Sequence, residues 1–302
     1  FFQHNPQANV WGNMSWGHAT STDLYNWHEQ PVAIACTPTS GIFSGSAVVD
    51  LKNTSGFGTT DNPPIVAIYT EHQNDESNQS QCLAFSVDEG ATFTKYEGNP
   101  VLDINAKNFR DPKVQWIDNQ WIMTVALAND YKISFYSSPD LKSWTHLSDF
   151  GPAAEVGGVW ECPDLIQFES KWVLLVSLNP GGYQIGSGTQ YFIGQWNGKE
   201  FIADDLQTRW LDYGRDNYAG VTFNDAPDNR RIYMGWMNNW EYAHGFPTSP
   251  WRGSMTLPRE LTLRSKNGNI HLAANPVAEL DSYLSDKLSA GFEAELLQIK
   301  TS

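Results

Sequence analysis

The turn Ser138-Pro139-Asp140-Leu141-Lys142-Ser143-Trp144 has two earlier counterparts in the chain. They are Ser21-Thr22-Asp23-Leu24-Tyr25-Asn26-Trp27, and Ser86-Val87-Asp88 followed by Phe93. Each closes a short strand-like run, at 16–19, 82–85 and 133–136. The turns start 65 and 52 residues apart. A degenerate fourth copy lies at 191–201. A second repeat runs in phase with the first. It is a wholly apolar strand at 65–69, 121–125, 172–176 and 232–236, with starts 56, 51 and 60 residues apart. Short apolar runs bounded by turn residues read as fully buried strands. With a strand before each apolar run and another leading into the turn, every unit holds about four strands. That is the blade of a β-propeller.

The phase also places two acids. Asp111, in Phe109-Arg110-Asp111-Pro112, lies 10 residues before Trp121, and Glu161, in Trp160-Glu161-Cys162-Pro163, lies 11 before Trp172. Asp111 and Glu161 are therefore expected at equivalent positions, heading the inner strands of consecutive blades and facing one funnel. Ser44 and Tyr218 are expected in the same slot of neighbouring blades. An acid heading a strand is ordinarily a turn cap. Two in register are raw material for paired-carboxylate chemistry.

Composition narrows the partners. The 302 residues carry a net charge of −15, which argues against nucleic acid and anionic membrane surfaces. No apolar run is long enough for a transmembrane helix. The 13 Trp suit either sugar faces or all-β packing. Three cysteines, Cys36, Cys82 and Cys162, leave at least one unpaired. The seven His are scattered without metal-ligand spacing, and no phosphate loop or nucleophile elbow is present. Sequons at Asn13, Asn53 and Asn78 hint at secretion.

Six segments in order resemble family 32 of the glycoside hydrolases, the invertases, exo-inulinases and levanases. They are Phe1-Phe2-Gln3-His4-Asn5-Pro6, Trp11 to His18, Phe43-Ser44-Gly45-Ser46, the two acidic motifs, and Asn239-Trp240 with Ser249-Pro250-Trp251-Arg252 and Pro258-Arg259-Glu260-Leu261. The resemblance is greatest to secreted fungal and yeast exo-inulinases. It implies a five-bladed propeller over residues 1–265, a linker at 266–286, and the start of a C-terminal β-sandwich at 287–302. It implies retaining cleavage of terminal β-fructofuranosyl bonds in sucrose, inulin or levan. Glu161 is then the general acid/base and Asp111 the transition-state stabiliser, kept ionised by Arg110. Gln3, Trp11, Phe43, Ser44, Arg110 and Trp240 contact sugar. No metal or other cofactor is called for.

The family's nucleophilic Asp belongs to an Asn-Asp-Pro-Asn-type motif upstream of the Phe-Phe-Gln segment, and these 302 residues do not contain that motif. The chain reads as cut at both ends, and is expected to be poorly soluble and inactive alone. A transfructosylase, a non-catalytic sugar-binding propeller and an inverting arabinan-cleaving propeller are the rival readings. Retention of both Glu161 and Asp111 counts against a lectin, which needs no proton donor. The segments at 11–18 and 43–46 count against the arabinan enzyme.

Overall fold

The computed structural model describes residues 1–281. They form five antiparallel sheets. The first holds β1 (Phe2–His4), β2 (Ser15–Thr20) and β3 (His28–Ile34). The second holds β4 (Ser40–Val49), β5 (Ile65–Gln73), β6 (Gln79–Ser86) and β7 (Thr94–Lys95), with β8 (Leu102–Ala106) also paired to β6. The third is β9 (Phe109–Ile117), β10 (Gln120–Leu127), β11 (Lys132–Ser138) and β12 (Thr145–Phe150). The fourth is β13 (Val159–Gln167), β14 (Trp172–Asn179), β15 (Gly188–Trp196) and β16 (Phe201–Ala203). The fifth is β17 (Tyr218–Thr222), β18 (Ile232–Trp236), β19 (Arg259–Lys266) and β20 (Asn269–Pro276). This is the propeller expected from the repeats, with the five blades that the resemblance implies, and its first blade has three strands.

The apolar repeats are the second strands β5, β10, β14 and β18. Each lies between two other strands of its own blade and beneath the neighbouring blades, so both faces need apolar residues. Blade-to-blade packing follows in sequence. Trp16 and Ile34 of the first blade meet Ile42 and Tyr69 of the second. Ile122 and Phe135 of the third meet Trp160, Leu174 and Phe192 of the fourth. Tyr191 of the fourth meets Tyr233 and Leu272 of the fifth. Val277 and Leu280 then pack with Ile232 against Leu24 and Tyr25, joining the last blade to the first.

The turn repeat has a shared hydrogen-bond logic. Asp23 Oδ1 accepts from the Tyr25 and Asn26 amides, and Asp140 Oδ1 accepts from those of Lys142 and Ser143. The serine hydroxyl donates to the same carboxylate in each turn, at 3.0 Å, 2.7 Å and 3.1 Å for Ser21, Ser86 and Ser138. The Trp that follows donates its indole N–H to the turn's Leu carbonyl, in Trp27 and Trp144. A side chain thus replaces a backbone partner at the tip of each hairpin.

The inner strands are stitched at the axis by side chains. Ser46 Oγ donates to Pro112 O and accepts from Val114 N, tying β4 to β9. Gln115 donates to Leu165 O and Thr124 to Pro163 O, tying the third blade to the fourth. Asp164 accepts from both N and Oγ1 of Thr222 at 2.7 Å, tying the fourth to the fifth. Asn224 Nδ2 then reaches Ala47 O at 2.8 Å and Val114 O at 3.0 Å. Buried Lys113 donates to Thr222 O at 2.6 Å. Burial lowers its pKa, while Asp164 and Asp225 favour its charged form.

One boundary differs from the expectation. Strand β20 occupies 269–276 and pairs with β19 from Lys266 opposite Asn269 to Arg259 opposite Pro276. The first half of the span expected as linker is therefore a blade strand. Its Asn-Gly turn at 267–268, with both residues at positive φ, is a hairpin signal that makes this pairing local. Helix begins only at Glu279, and the span expected to open a sandwich, 287–302, lies outside the described residues.

Candidate active site

The inner strands of blades two to five each carry a β-bulge. In β9, Arg110 pairs with Ala126 and Lys113 with Thr124, so Asp111 and Pro112 together oppose Val125. In β13, Glu161 pairs with Ser177 and Asp164 with Leu175, so Cys162 and Pro163 form the bulge. In β17 the bulge is Ala219-Gly220, and in β4 it is Phe43-Ser44. Asp111, Cys162 and Ala219 all take left-handed φ, at 66°, 47° and 53°. A bulge of this kind re-aims the side chains beside it.

The strand registers correct the expected equivalence by one residue. Glu161 shares its register with Arg110 and Tyr218, whereas Asp111 shares it with Cys162 and Phe43. The two acids are neighbours in space for a different reason. Cys162 N–H donates to Asp111 Oδ2 at 2.9 Å, and the Cys162 thiol lies 3.5 Å from the same oxygen. The Asp111 amide donates to Thr70 Oγ1 at 2.9 Å.

Glu161 is held on both oxygens. Arg110 Nε donates to Oε1 at 3.0 Å, and the Tyr218 hydroxyl donates to Oε2. Arg110 Nη1 also reaches Gln79 Oε1 at 3.3 Å and Asn108 Oδ1 at 3.1 Å. Arg110 pulls the Asp111 pKa down, as expected of a residue that helps keep it ionised, but its ion pair is with Glu161. Asp111 moves the other way. Burial, then the charge of Glu161, push its pKa up to about 6, against the opposing pull of Arg110 and the Cys162 N–H. Burial and Glu161 likewise raise the Tyr218 hydroxyl well above its ordinary value, so it remains a donor.

The other sugar-contact candidates fall elsewhere. Gln3 pairs with Trp16 and donates to Ile42 O at 3.1 Å, at the seam of the first two blades. Exposed Trp11 meets Phe43 edge-on at 5.8 Å, and both line a cleft of about 260 Å³ at that seam. Ser44 sits in the β4 bulge. Trp240 belongs to neither group: it packs on Trp236 at 5.2 Å, with its amide donating to Ser187 Oγ. Tyr218 received no role from the sequence alone. Its place heading β17 was visible there, but its reach to Glu161 depends on the bulge.

The comparisons bear on the whole of this arrangement. The family model "Glycosyl hydrolases family 32 N-terminal domain" matches residues 1–276. The chain belongs to glycoside hydrolase family 32. Among its family 32 relatives, the levanase of Bacillus subtilis is 46% identical, over 93% of this chain and 43% of its own. The extracellular exo-inulinase of Aspergillus ficuum is 41% identical, over 91% of this chain and 59% of its own. The crystal structure of exo-inulinase from Aspergillus awamori superposes with a TM-score of 0.86 at 40% identity, covering 91% of this chain and 61% of that one. The chain thus spans about half the length of the family members it matches.

One substitution tests the contact that sequence did not reveal. In protein carrying the upstream nucleophile motif, Tyr218→Phe should lower kcat on sucrose roughly tenfold with KM little changed. A hydrogen bond to a charged group is worth about 1.5–3 kcal/mol. Steady-state kinetics check this, and an unchanged kcat would show that the hydroxyl does nothing for Glu161.

Proposed function

We propose that this protein releases terminal β-D-fructofuranosyl units from sucrose or a fructan, by retaining double displacement. The observation that carries the reading is the seating of Glu161 between Arg110 and Tyr218, with Asp111 one backbone bond away through Cys162. Glu161 gives its proton to the departing glycosidic oxygen and later takes one from water. Arg110 and Tyr218 fix its orientation. Asp111 holds fructose hydroxyls as positive charge develops on the ring. Retention also requires a covalent fructosyl intermediate on a second carboxylate, the role of the family's Asn-Asp-Pro-Asn-type Asp. Gln3, Trp11, Phe43, Ser44, Arg110 and Trp240 complete the sugar contacts.

The proposal extends to secretion. Relatives carry extracellular names, and Asn13 is exposed at a sequon. Asn53, by contrast, uses both ends of its amide on Gly58.

Fructose titration of tryptophan fluorescence tests the sugar site. Fructose should quench or shift the emission, and Trp240→Ala should reduce the change. If Trp240 were only packing, the substitution would cost about 3–5 kcal/mol of stability and leave the sugar response intact. Release of reducing sugar from sucrose, lost in Glu161→Gln, tests the reaction itself.

A further inference from the structure

The cleft between the first two blades is lined by Trp11, Phe43, His72, Asn74 and Glu76, and one wall is wired to the acid site. His72 and Gln79 are directly opposed in the β5–β6 hairpin, and Gln79 Nε2 lies 3.3 Å from His72 Nδ1. The other end of that amide, Oε1, accepts from Arg110. Donor chemistry fixes every direction in this chain. A guanidinium has no acceptor, so the amide must turn its oxygen to Arg110 and its NH₂ to the imidazole. An NH₂ group can only donate, so Nδ1 must be the bare acceptor nitrogen. The proton of neutral His72 is then on Nε2, the nitrogen not engaged by Gln79. Burial lowers the His72 pKa, outweighing Glu76 and Asp75, which raise it. The ring itself is immobilised, because Phe43 stacks on it at 4.4 Å with an interplanar angle of 18°.

We propose that His72 is a sugar-reading residue, presenting Nε2–H to the cleft as a donor for one hydroxyl of a bound monosaccharide ring. The inference rests on the fructoside reading given above. A volume of about 260 Å³ suits one sugar ring rather than several. Trp11 and Phe43 supply apolar faces for C–H groups, and Asn74 and Glu76 supply polar atoms for further hydroxyls. Because Arg110 donates to both Gln79 and Glu161, the residue that reads the sugar is connected to the proton donor by three consecutive hydrogen bonds. His72 is thus a specificity and positioning residue.

Two measurements decide it. The nitrogen shifts of His72 in histidine-labelled protein should show the Nε2–H tautomer, and an Nδ1–H tautomer overturns the proposal. In a Glu161→Gln background that leaves sucrose intact, calorimetry should show His72→Phe binding sucrose about tenfold more weakly. His72→Gln, which keeps a donor and an acceptor, should recover part of the loss and serves if the Phe variant is unstable. Methyl β-D-fructofuranoside identifies the ring. A matching loss places the fructosyl unit in the cleft, and no loss places the leaving sugar there. Unchanged sucrose affinity in His72→Phe overturns the inference while leaving the fructoside reading intact. Failure of the Glu161→Gln parent to bind either sucrose or the methyl fructoside overturns both.

Discussion

Glu161→Gln lowers kcat/KM on sucrose roughly 10²–10⁴-fold, the ordinary worth of a positioned proton donor. The amide can keep the geometry. Its oxygen accepts from Arg110 Nε, and its NH₂ donates to a Tyr218 hydroxyl that has turned to accept. The loss is therefore chemical rather than structural, and an unchanged melting temperature should accompany it. Fructosides with leaving groups that depart without a proton should lose much less in the first step. Steady-state kinetics on sucrose and an activated aryl fructoside make the comparison. Equal, small losses on both would remove Glu161 from the role.

Asp111→Asn should lower kcat roughly 10²–10³-fold, more than it raises KM, because its bonds to sugar strengthen in the transition state. The same substitution should make the protein more stable at high pH. The Asp111 carboxyl ionises near pH 6 in the fold, against an ordinary value of 3.8. A carboxyl raised in this way binds its proton more tightly when folded. Its contribution to stability is full below about pH 3.8 and is lost as pH rises through 6. Two pH units correspond to about 3 kcal/mol at most. Asn has no charge to bury and can still accept from Cys162 N–H. Melting curves of the two proteins should coincide near pH 4 and separate by several degrees at pH 8, with Asn higher. A wild type that is the more stable at pH 8 would mean that Asp111 is well solvated or well paired after all.

The propeller was legible because its repeats are set by requirements that neighbouring blades impose identically. The second strands at 65–69, 121–125, 172–176 and 232–236 must be apolar on both faces, and the Ser-x-Asp turns must satisfy the same orphan amides. The placing of Asp111 and Glu161 on neighbouring inner strands was legible for the same reason. Their wiring was not. Asp111 stands 10 residues before Trp121 and Glu161 11 before Trp172, and with the same bulge in both strands that single residue becomes one position in register. Adjacency in the chain pointed Arg110 to Asp111, whose ionised form it does favour, but its ion pair with Glu161, 51 residues on, left no local trace. Tyr218 and Gln79 carry no local signal of their role, since their partners are 57 and 31 residues away. The β19–β20 hairpin was readable from its Asn267-Gly268 turn and from the alternation of Leu261 and Leu263 with Ile270, Leu272 and Ala274, which pack against the fourth blade.

The side-chain ties at the axis have a consequence for assembly. Ser46, Gln115, Asp164 and Asn224 join blades two to five into a truss that closes upon itself through Ala47 and Val114. Neither end of any of these ties lies in the first blade. Arg110, Asp111, Glu161 and Tyr218 all stand on members of that truss. The acid pair can therefore reach its final geometry while the N-terminal sheet is still unplaced.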